Sequence, residues 1–324
     1  MNRGIISLGT IILDMFEFRD TAELKEVGAF KAAPGGSAAN VAVCAAKLGL
    51  PGHFIGKVGD DAFGHLLASV LKKNNVDISG LRFDSGRRTT LNFHFRLPGG
   101  GYRYLFYRNP GADTNLCADE VDQAVITRAD ALHIDSLCLT DNPMRETALR
   151  LADLAHKNGV LVSFDFNYRA PLWTDASEAV EAFEEILPVV DILKVNEDEF
   201  NLLLSAEDFS NGAESLFARG LKVLLITRGA DGCYAACPGF HTNIPAMKVT
   251  AVDPVGCGDA FIASFLVRLI RQGLSKMDAE RLRDCALYAD TAASLTSARH
   301  GAMDALPDLA EVDAYWKERR HDFL

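Results

Sequence analysis

The sequence has no CxxC pair, no HExxH motif and no apolar run near the roughly 20 residues that a membrane-spanning helix needs. Its cysteines stand at 44, 117, 138, 233, 237, 257 and 285, an odd number, several of them in apolar runs such as "NVAVCAAKLGL". Cys233 and Cys237 alone are too few ligands for a structural zinc site, so reduced thiols in a cytoplasmic protein are expected. The stretch "MNRGIISLGTIILDMF" is apolar, but Asp14 interrupts it and no small-residue cleavage site follows. Two phosphate loops are missing as well. "GHFIGKV" has one residue too few between its glycines for GxxxxGK[ST], and a valine follows the lysine. No GxGxxG follows a strand, because "GGGYRY" sits in a hairpin turn. A P-loop NTPase, a Rossmann dehydrogenase and a zinc hydrolase thereby lose their main support. Positive charge is also in deficit, 33 Lys and Arg against 44 Asp and Glu, for a net charge of −11. That balance, with a pI of about 5.2, argues against nucleic acid or an anionic membrane as partner. It leaves an anionic small substrate open, since helix N-termini and a few arginines create local positive sites.

What is present is an ordinary globular composition, 48% hydrophobic and 24% charged over 324 residues. Short β-branched runs alternate with longer helical patterns. "GIISLGT", "HFIGKVG", "DALHIDSL", "VLVSFDF", "DILKVN" and "LKVLLITRG" read as strands. Helical periodicity marks "SAANVAVCAAKLGL", "AFGHLLASVLKKNNV" and residues 143–158, 177–187, 197–204 and 211–219. "DAFIASFLVRLIRQG" and "DAERLRDCALYADTAASLTS" close the chain as helices. This alternation predicts a parallel sheet covered on both faces. "RRTTLNFHFRLPGGGYRYLFYRNPGAD" breaks the rhythm as two alternating strands around a "PGGG" turn, and "DMFEFRDTAELKEVGAFKAAPGG" is similarly extended. The reading is one domain over 1–324, with lid segments at about 13–34 and 88–110. The exposed face of that hairpin is the expected surface for a homodimer.

"AVDPVGCGDAFIASFL", residues 251–266, places two glycines and a cysteine directly before an aspartate at a helix start. Gly256 and Gly258 let backbone amides approach an anion beside the positive end of the helix dipole, and Asp259 can receive a proton. An N-capping aspartate after a βα turn fits the same residues. In "APGGSAANVA", Gly35, Gly36 and Asn40 suit hydroxyl recognition, although a turn and cap also account for them. Asp14 follows an apolar strand, "DFNYR" offers Asp165, Asn167 and Arg169, and "KVNEDEF" offers Asn196 and Glu199 as outer-shell Mg²⁺ groups. Each is weak alone. Their recurrence at strand carboxyl ends, where open α/β sheets bind ligands, is not.

"GGSAANVA", "FDFNYRAPLW", "KVNEDE", "ITRGADG" and "DPVGCGDAF" occur in the order and spacing of the ribokinase-like (PfkB) carbohydrate kinases, and the chain resembles that family from about residue 4 to residue 307. The resemblance implies a three-layer α/β/α sandwich with a mostly parallel sheet and a small β lid, moving the γ-phosphoryl group of ATP to a sugar hydroxyl. It assigns Asp259 as base and Gly256, Cys257 and Gly258 as anion hole. Asp14, Gly35, Gly36, Asn40, Asp165 and Asn167 would hold the sugar. Asn196 and Glu199 would act on Mg²⁺ and phosphate. Thr227, Arg228, Gly229, Gly232 and Asp290 would lie near the nucleotide. Glu199 and Asp253 are indirect or monovalent-cation ligands in this reading, with K⁺ an example. "YLFYRNPGADTNL" and "FDFNYRAPLW" are most similar to fructokinases. Arg108 and Arg169 could instead orient the carboxylate of 2-keto-3-deoxygluconate. A phosphosugar kinase would need more basic residues than these, and a non-catalytic sensor on the same scaffold would not need the intact Gly256–Asp259 constellation. Two departures stand out. Cys257 replaces an alanine, and its thiol is expected to be acidified by the helix start. Asp290 replaces an asparagine near the adenine, where its charge would weaken or redirect nucleotide binding.

Overall fold

Apolar side chains alternate between the two faces of each buried strand, and this alternation sets the layers. In β1 (Ile5–Leu8), Ile5 packs into one core while Ile6 and Leu8 pack into the other. The computed structural model describes residues 3–17, 29–97, 102–204, 206, 208–273 and 277–323. From β1 the chain runs through β2 (Ile12–Glu17), β3 (Phe30–Gly35), α1 (Ser37–Lys47), β4 (Gly52–Gly59), α2 (Ala62–Lys73) and β5 (Asp77–Asp84). A second excursion, β6 (Leu91–Arg96) and β7 (Tyr102–Tyr107), leads to the short α3 (Gln123–Ile126). Alternation then resumes with β8 (Ala131–Asp135), α4 (Met144–Lys157), β9 (Leu161–Asp165), α5 (Ala176–Ile186) and β10 (Ile192–Asn196). After α6 (Glu197–Leu203) and α7 (Phe209–Phe217) come β11 (Val223–Thr227), β12 (Cys233–Cys237) and β13 (Phe240–Ile244). Three helices follow, α8 (Cys257–Arg271), α9 (Ala279–Ser297) and α10 (Leu309–Phe323).

The main sheet has the order β13-β12-β11-β10-β9-β8-β1-β4-β5 and is parallel except for β12, which runs antiparallel to both its neighbours. Buried residues of α1, α2, α8 and α9 share one core, and those of α4, α5, α6 and α7 share the other. The result is the expected three-layer α/β/α sandwich. A second sheet, β3-β2-β6-β7, is built from the two expected lid segments. Parts of those segments, at 18–28 and 98–101 and including the "PGGG" turn, lie outside the described residues.

One helix departs from the sequence reading. Beyond α9 the chain forms α10, which exposes Lys317, Glu318 and His321 and buries Val312 and Trp316. Only those two apolar anchors mark it, too few for its periodicity to stand out. Among the described residues no helix is long and apolar enough to cross a membrane. All seven cysteines are free thiols.

The parallel strands end on one edge, and their registers bring polar residues side by side there. Asp135 of β8 pairs with Asp165 of β9, Asp165 with Lys194 of β10, and Asn196 with Thr227 of β11. The small sheet stands over this edge.

Candidate active site

A cavity of about 370 Å³ opens between the small sheet and the carboxyl edge of the main one. Its floor is the start of α8. Gly256 caps that helix with φ 82°, a left-handed backbone that favours glycine, and turns the chain so that the next amides face the cavity. Among the described residues the amides of Gly256, Gly258 and Asp259 have no backbone acceptor. The Cys257 amide, expected with those of Gly256 and Gly258 to receive an anion, instead donates to Pro254 O at 3.3 Å.

Asp259, half-buried in the first turn of α8, is held from α1. Ser37 Oγ donates to its Oδ1 at 2.7 Å and Asn40 Nδ2 to its Oδ2 at 2.6 Å. Burial pushes its carboxyl above the usual value, while the Asn40 and Ser37 hydrogen bonds and the charges of Lys194 and Arg169 pull it back. An N-cap role does not describe it, since Gly256 is the cap.

At the other end of the cavity Asp14, which belongs to β2 of the small sheet, is 4% exposed and accepts from His94 Nε2 at 2.7 Å and Asn92 Nδ2 at 3.0 Å. Gly35 is where the β3 backbone passes this carboxylate, because an added Cβ would lie 1.8 Å from Asp14 Oδ2. Gly36 has φ 100° and begins α1, aiming Ser37 and Asn40 into the site. Tyr104 and Phe106 of β7 close one wall, and the Arg169 guanidinium stacks over the Tyr104 ring at 5.5 Å. Asn167, with φ 36°, also lines the cavity.

Lys194 is the residue that sequence reading passed over. It is 5% exposed, donates to both oxygens of Asp165 at 3.0 and 3.1 Å, and its Nζ would lie 2.9 Å from a Cβ placed on Gly258. Burial alone would lower its pKa, but Asp165 and Glu199 raise it, so the ammonium stays charged beside the helix start. Asp165 itself lies behind Lys194 and does not line the cavity. Ser37, Asn92, His94 and Tyr104 were also missed. The available signal was polar residues at alternate positions in "LNFHFR" and a lone lysine in "DILKVN".

Glu199 is 5% exposed, and both its oxygens are taken: Oε1 accepts from Tyr168 N and Oε2 from Asn196 N, each at 2.8 Å. Asp253 likewise spends Oδ1 on Val255 N and Oδ2 on Gly301 N. Each carboxylate therefore ties down a loop. Among the described residues no group of three His, Cys, Asp or Glu is placed to hold a metal ion. A Mg²⁺ that arrives on nucleotide phosphates and keeps most of its water fits such a site.

A family model for pfkB family carbohydrate kinases matches residues 2–309. The chain belongs to that family. It is 39% identical over 305 residues to the probable chloroplastic fructokinase-6 of Arabidopsis thaliana, covering 94% of this chain and 79% of the relative. Among solved structures it is similar to the fructokinase of Xylella fastidiosa with bound ATP, at 28% identity, TM-score 0.88 and 98% of both chains. The fructokinase of Vibrio cholerae with fructose, ADP and calcium bound aligns at 25% identity and TM-score 0.85, over 97% of this chain and 99% of that one. This protein is a sugar kinase enzyme of the ribokinase-like fold.

Three expectations need correction in this kinase. Arg108 does not line the cavity. Its side chain is 5% exposed and bound by Asp113 at 2.6 Å, with further bonds to Thr140 Oγ1 and Leu137 O, so three of its N–H groups are engaged away from the cavity. Cys257 is not an acidified thiol: burial and then the carboxylates of Asp253 and Asp259 push it up to about 12. Asp290 carries no free charge toward the nucleotide, because Arg319 of α10 pairs with it at 2.8 Å and Met247 N donates to it. Of the expected nucleotide residues, Asn196, Glu199 and Thr227 line the cavity, whereas Arg228, Gly229 and Gly232 form the β11–β12 turn beyond it.

Proposed function

We propose that this kinase transfers the γ-phosphoryl group of ATP to a primary hydroxyl of fructose, giving fructose 6-phosphate. One observation carries the choice of acceptor. Three residues that line the cavity each carry a buried polar atom without a hydrogen-bond partner among the described residues: Asn40 Oδ1, Asn92 Oδ1 and His94 Nδ1. A buried polar atom left unpaired costs about 1–3 kcal/mol, so a ligand rich in hydroxyl donors complements all three. A sugar acid is a poorer match. Its carboxylate would meet the Asp14 carboxylate, and Arg108 is engaged elsewhere, which leaves Arg169 as the arginine lining the cavity. The fructokinase relatives support the same choice.

In this mechanism Asp259 takes the proton of the attacking hydroxyl. The sugar oxygen forms its bond to phosphorus as the bond to the leaving ADP oxygen breaks in line. The amides of Gly256, Gly258 and Asp259, with the Lys194 ammonium beside them, face the phosphoryl oxygens where charge is greatest. Mg²⁺ carried by the nucleotide would supply further charge neutralisation, and Asn196 and Glu199 are the residues that would hold it indirectly. A monovalent cation such as K⁺ near the Asp253 loop belongs to the same reading. Tyr104 and Phe106 keep water from the phosphoryl group.

We place the reaction in the cytoplasm, where seven free thiols are the stable state. We also assign a homodimer to the outer lid face, where Leu105 and Tyr107 are 41% and 64% exposed. Mass measured in solution tests it, and a monomer at all concentrations would discard it.

A coupled assay of ADP release over fructose, 2-keto-3-deoxygluconate, ribose, tagatose and fructose 1-phosphate tests the acceptor. The highest kcat/KM is expected for fructose, and a strong preference for the keto-acid overturns the choice.

A further inference from the structure

Asp135 ends β8 fully buried, and the mechanism above does not use it. Its Oδ1 accepts from Leu137 N at 3.0 Å, but among the described residues its Oδ2 has no hydrogen-bond partner. A carboxylate oxygen left bare in a dry interior calls for an explanation. Gly9 lies between it and α1: a Cβ added there would lie 3.0 Å from Ala38 Cβ and 3.8 Å from Asp135 Oδ1, so the carboxyl and the first turn of α1 face each other across Gly9, and the Ser37 side chain acts on the same carboxyl. Ser37 opens that turn and currently donates to Asp259 Oδ1 at 2.7 Å.

We propose that Asp135 and Asp259 share a proton through the Ser37 hydroxyl, so that Asp135 is a positioning residue that receives the proton Asp259 draws from the sugar. The inference rests on the reading of Asp259 as base. The balance is simple. As the sugar oxygen bonds to phosphorus and ADP leaves, its proton moves to Asp259. The protonated Asp259 then donates to Ser37 Oγ, while the Ser37 proton passes to Asp135 Oδ2. Once product leaves, the proton returns along the same route to Asp259, which faces the open cavity, and so to solvent. No oxidant or co-reactant is required.

The surrounding charges agree with this role. Burial first, and then the charge of Asp259, push the Asp135 carboxyl up to about 6, while Ser37 and Arg108 pull against them. Asp165 on β9 stands beside it in register, with Lys194 of β10 bound to Asp165, and Cys138 lies within 3.9 Å of Oδ1. His133, two residues earlier, is kept neutral by burial and by Lys194. The Asp259 charge thus acts on the Asp135 carboxyl, the condition under which two carboxyl groups titrate together.

The test is the pH profile of kcat and kcat/KM for Asp135→Asn, Ser37→Ala, Ser37→Thr and Asp135→Asn/Ser37→Ala, with fructose and MgATP. For Asp135→Asn we expect kcat to fall about tenfold with the fructose KM within about threefold, and the acid limb to move to lower pH as Asp259 loses its charged neighbour. Ser37→Ala should lose a similar factor, Ser37→Thr should restore it, and the double variant should be no slower than the slower single one. Wild-type kcat with an unmoved acid limb in Asp135→Asn, or losses that multiply in the double variant, overturns the proposal. If Asp135→Asn does not fold, the Ser37→Ala and Ser37→Thr pair decides: restoration by threonine supports the shared proton, and equal loss in both rejects it. An active Asp259→Asn would instead remove the base assignment beneath it.

Discussion

Asn40 of α1 donates its amide to Asp259 Oδ2 of α8 at 2.6 Å, across 219 residues of sequence, and its Oδ1 has no partner among the described residues. One side chain thus aims the base and presents an acceptor to the sugar. Asn40→Ala removes both contacts. A hydrogen bond to a charged group contributes about 1.5–3 kcal/mol, so kcat/KM for fructose should fall roughly 10- to 100-fold, in KM as well as kcat. Steady-state kinetics at saturating MgATP check this, and a change in kcat alone would remove Asn40 from the sugar.

Lys194 and Asp165 are a buried pair with side chains 7% and 1% exposed. Lys194→Met leaves Asp165 unpaired and should cost about 3–5 kcal/mol. Adding Asp165→Asn should restore most of the melting temperature without restoring turnover, because the charge beside Gly258 is still missing. Recovery of both would make Lys194 purely structural.

Arg108 pairs with Asp113 at side-chain exposures of 5% and 2%. Arg108→Met should therefore lower stability by about 3–5 kcal/mol while leaving the fructose KM near wild type below the melting transition. A large rise in KM with unchanged stability would return Arg108 to the sugar site.

Burial raises the Asp259 carboxyl above its ordinary 3.8, against the pull of its hydrogen bonds and of Lys194 and Arg169. A base must be ionised, so turnover is lost as pH falls through the raised value, and the acid limb of kcat/KM should lie above that of a free aspartate. Arg169→Ala removes a positive charge that favours the ionised form and should shift this limb to higher pH. A limb that moves downward contradicts the sign.

The parts legible in sequence were those that depend on local backbone. Gly256 and Gly36 stood out because a left-handed turn at a helix start tolerates little else, and "DPVGCGDAF" and "GGSAAN" carry both turns with their polar partners. Strand–helix alternation likewise led to the three layers. Charge pairing was not legible. Arg108 and Asp290 looked available because Asp113 and Arg319, which neutralise them, are identified only by packing, and Arg319 lies on a helix with two apolar anchors. Cys257 sits where a dipole should acidify it, yet burial and two nearby carboxylates outweigh that effect. Lys194 was hidden for the opposite reason: within an apolar strand a lysine reads as an exception, and its role depends on Asp165 of the neighbouring strand.

The central claim is tested most directly by Asp259→Asn, assayed for turnover with fructose and MgATP and for fructose affinity by calorimetry. The account predicts a loss of about 10²–10⁴-fold in kcat with fructose affinity within a few-fold of wild type. Near-normal kcat in that variant would contradict it.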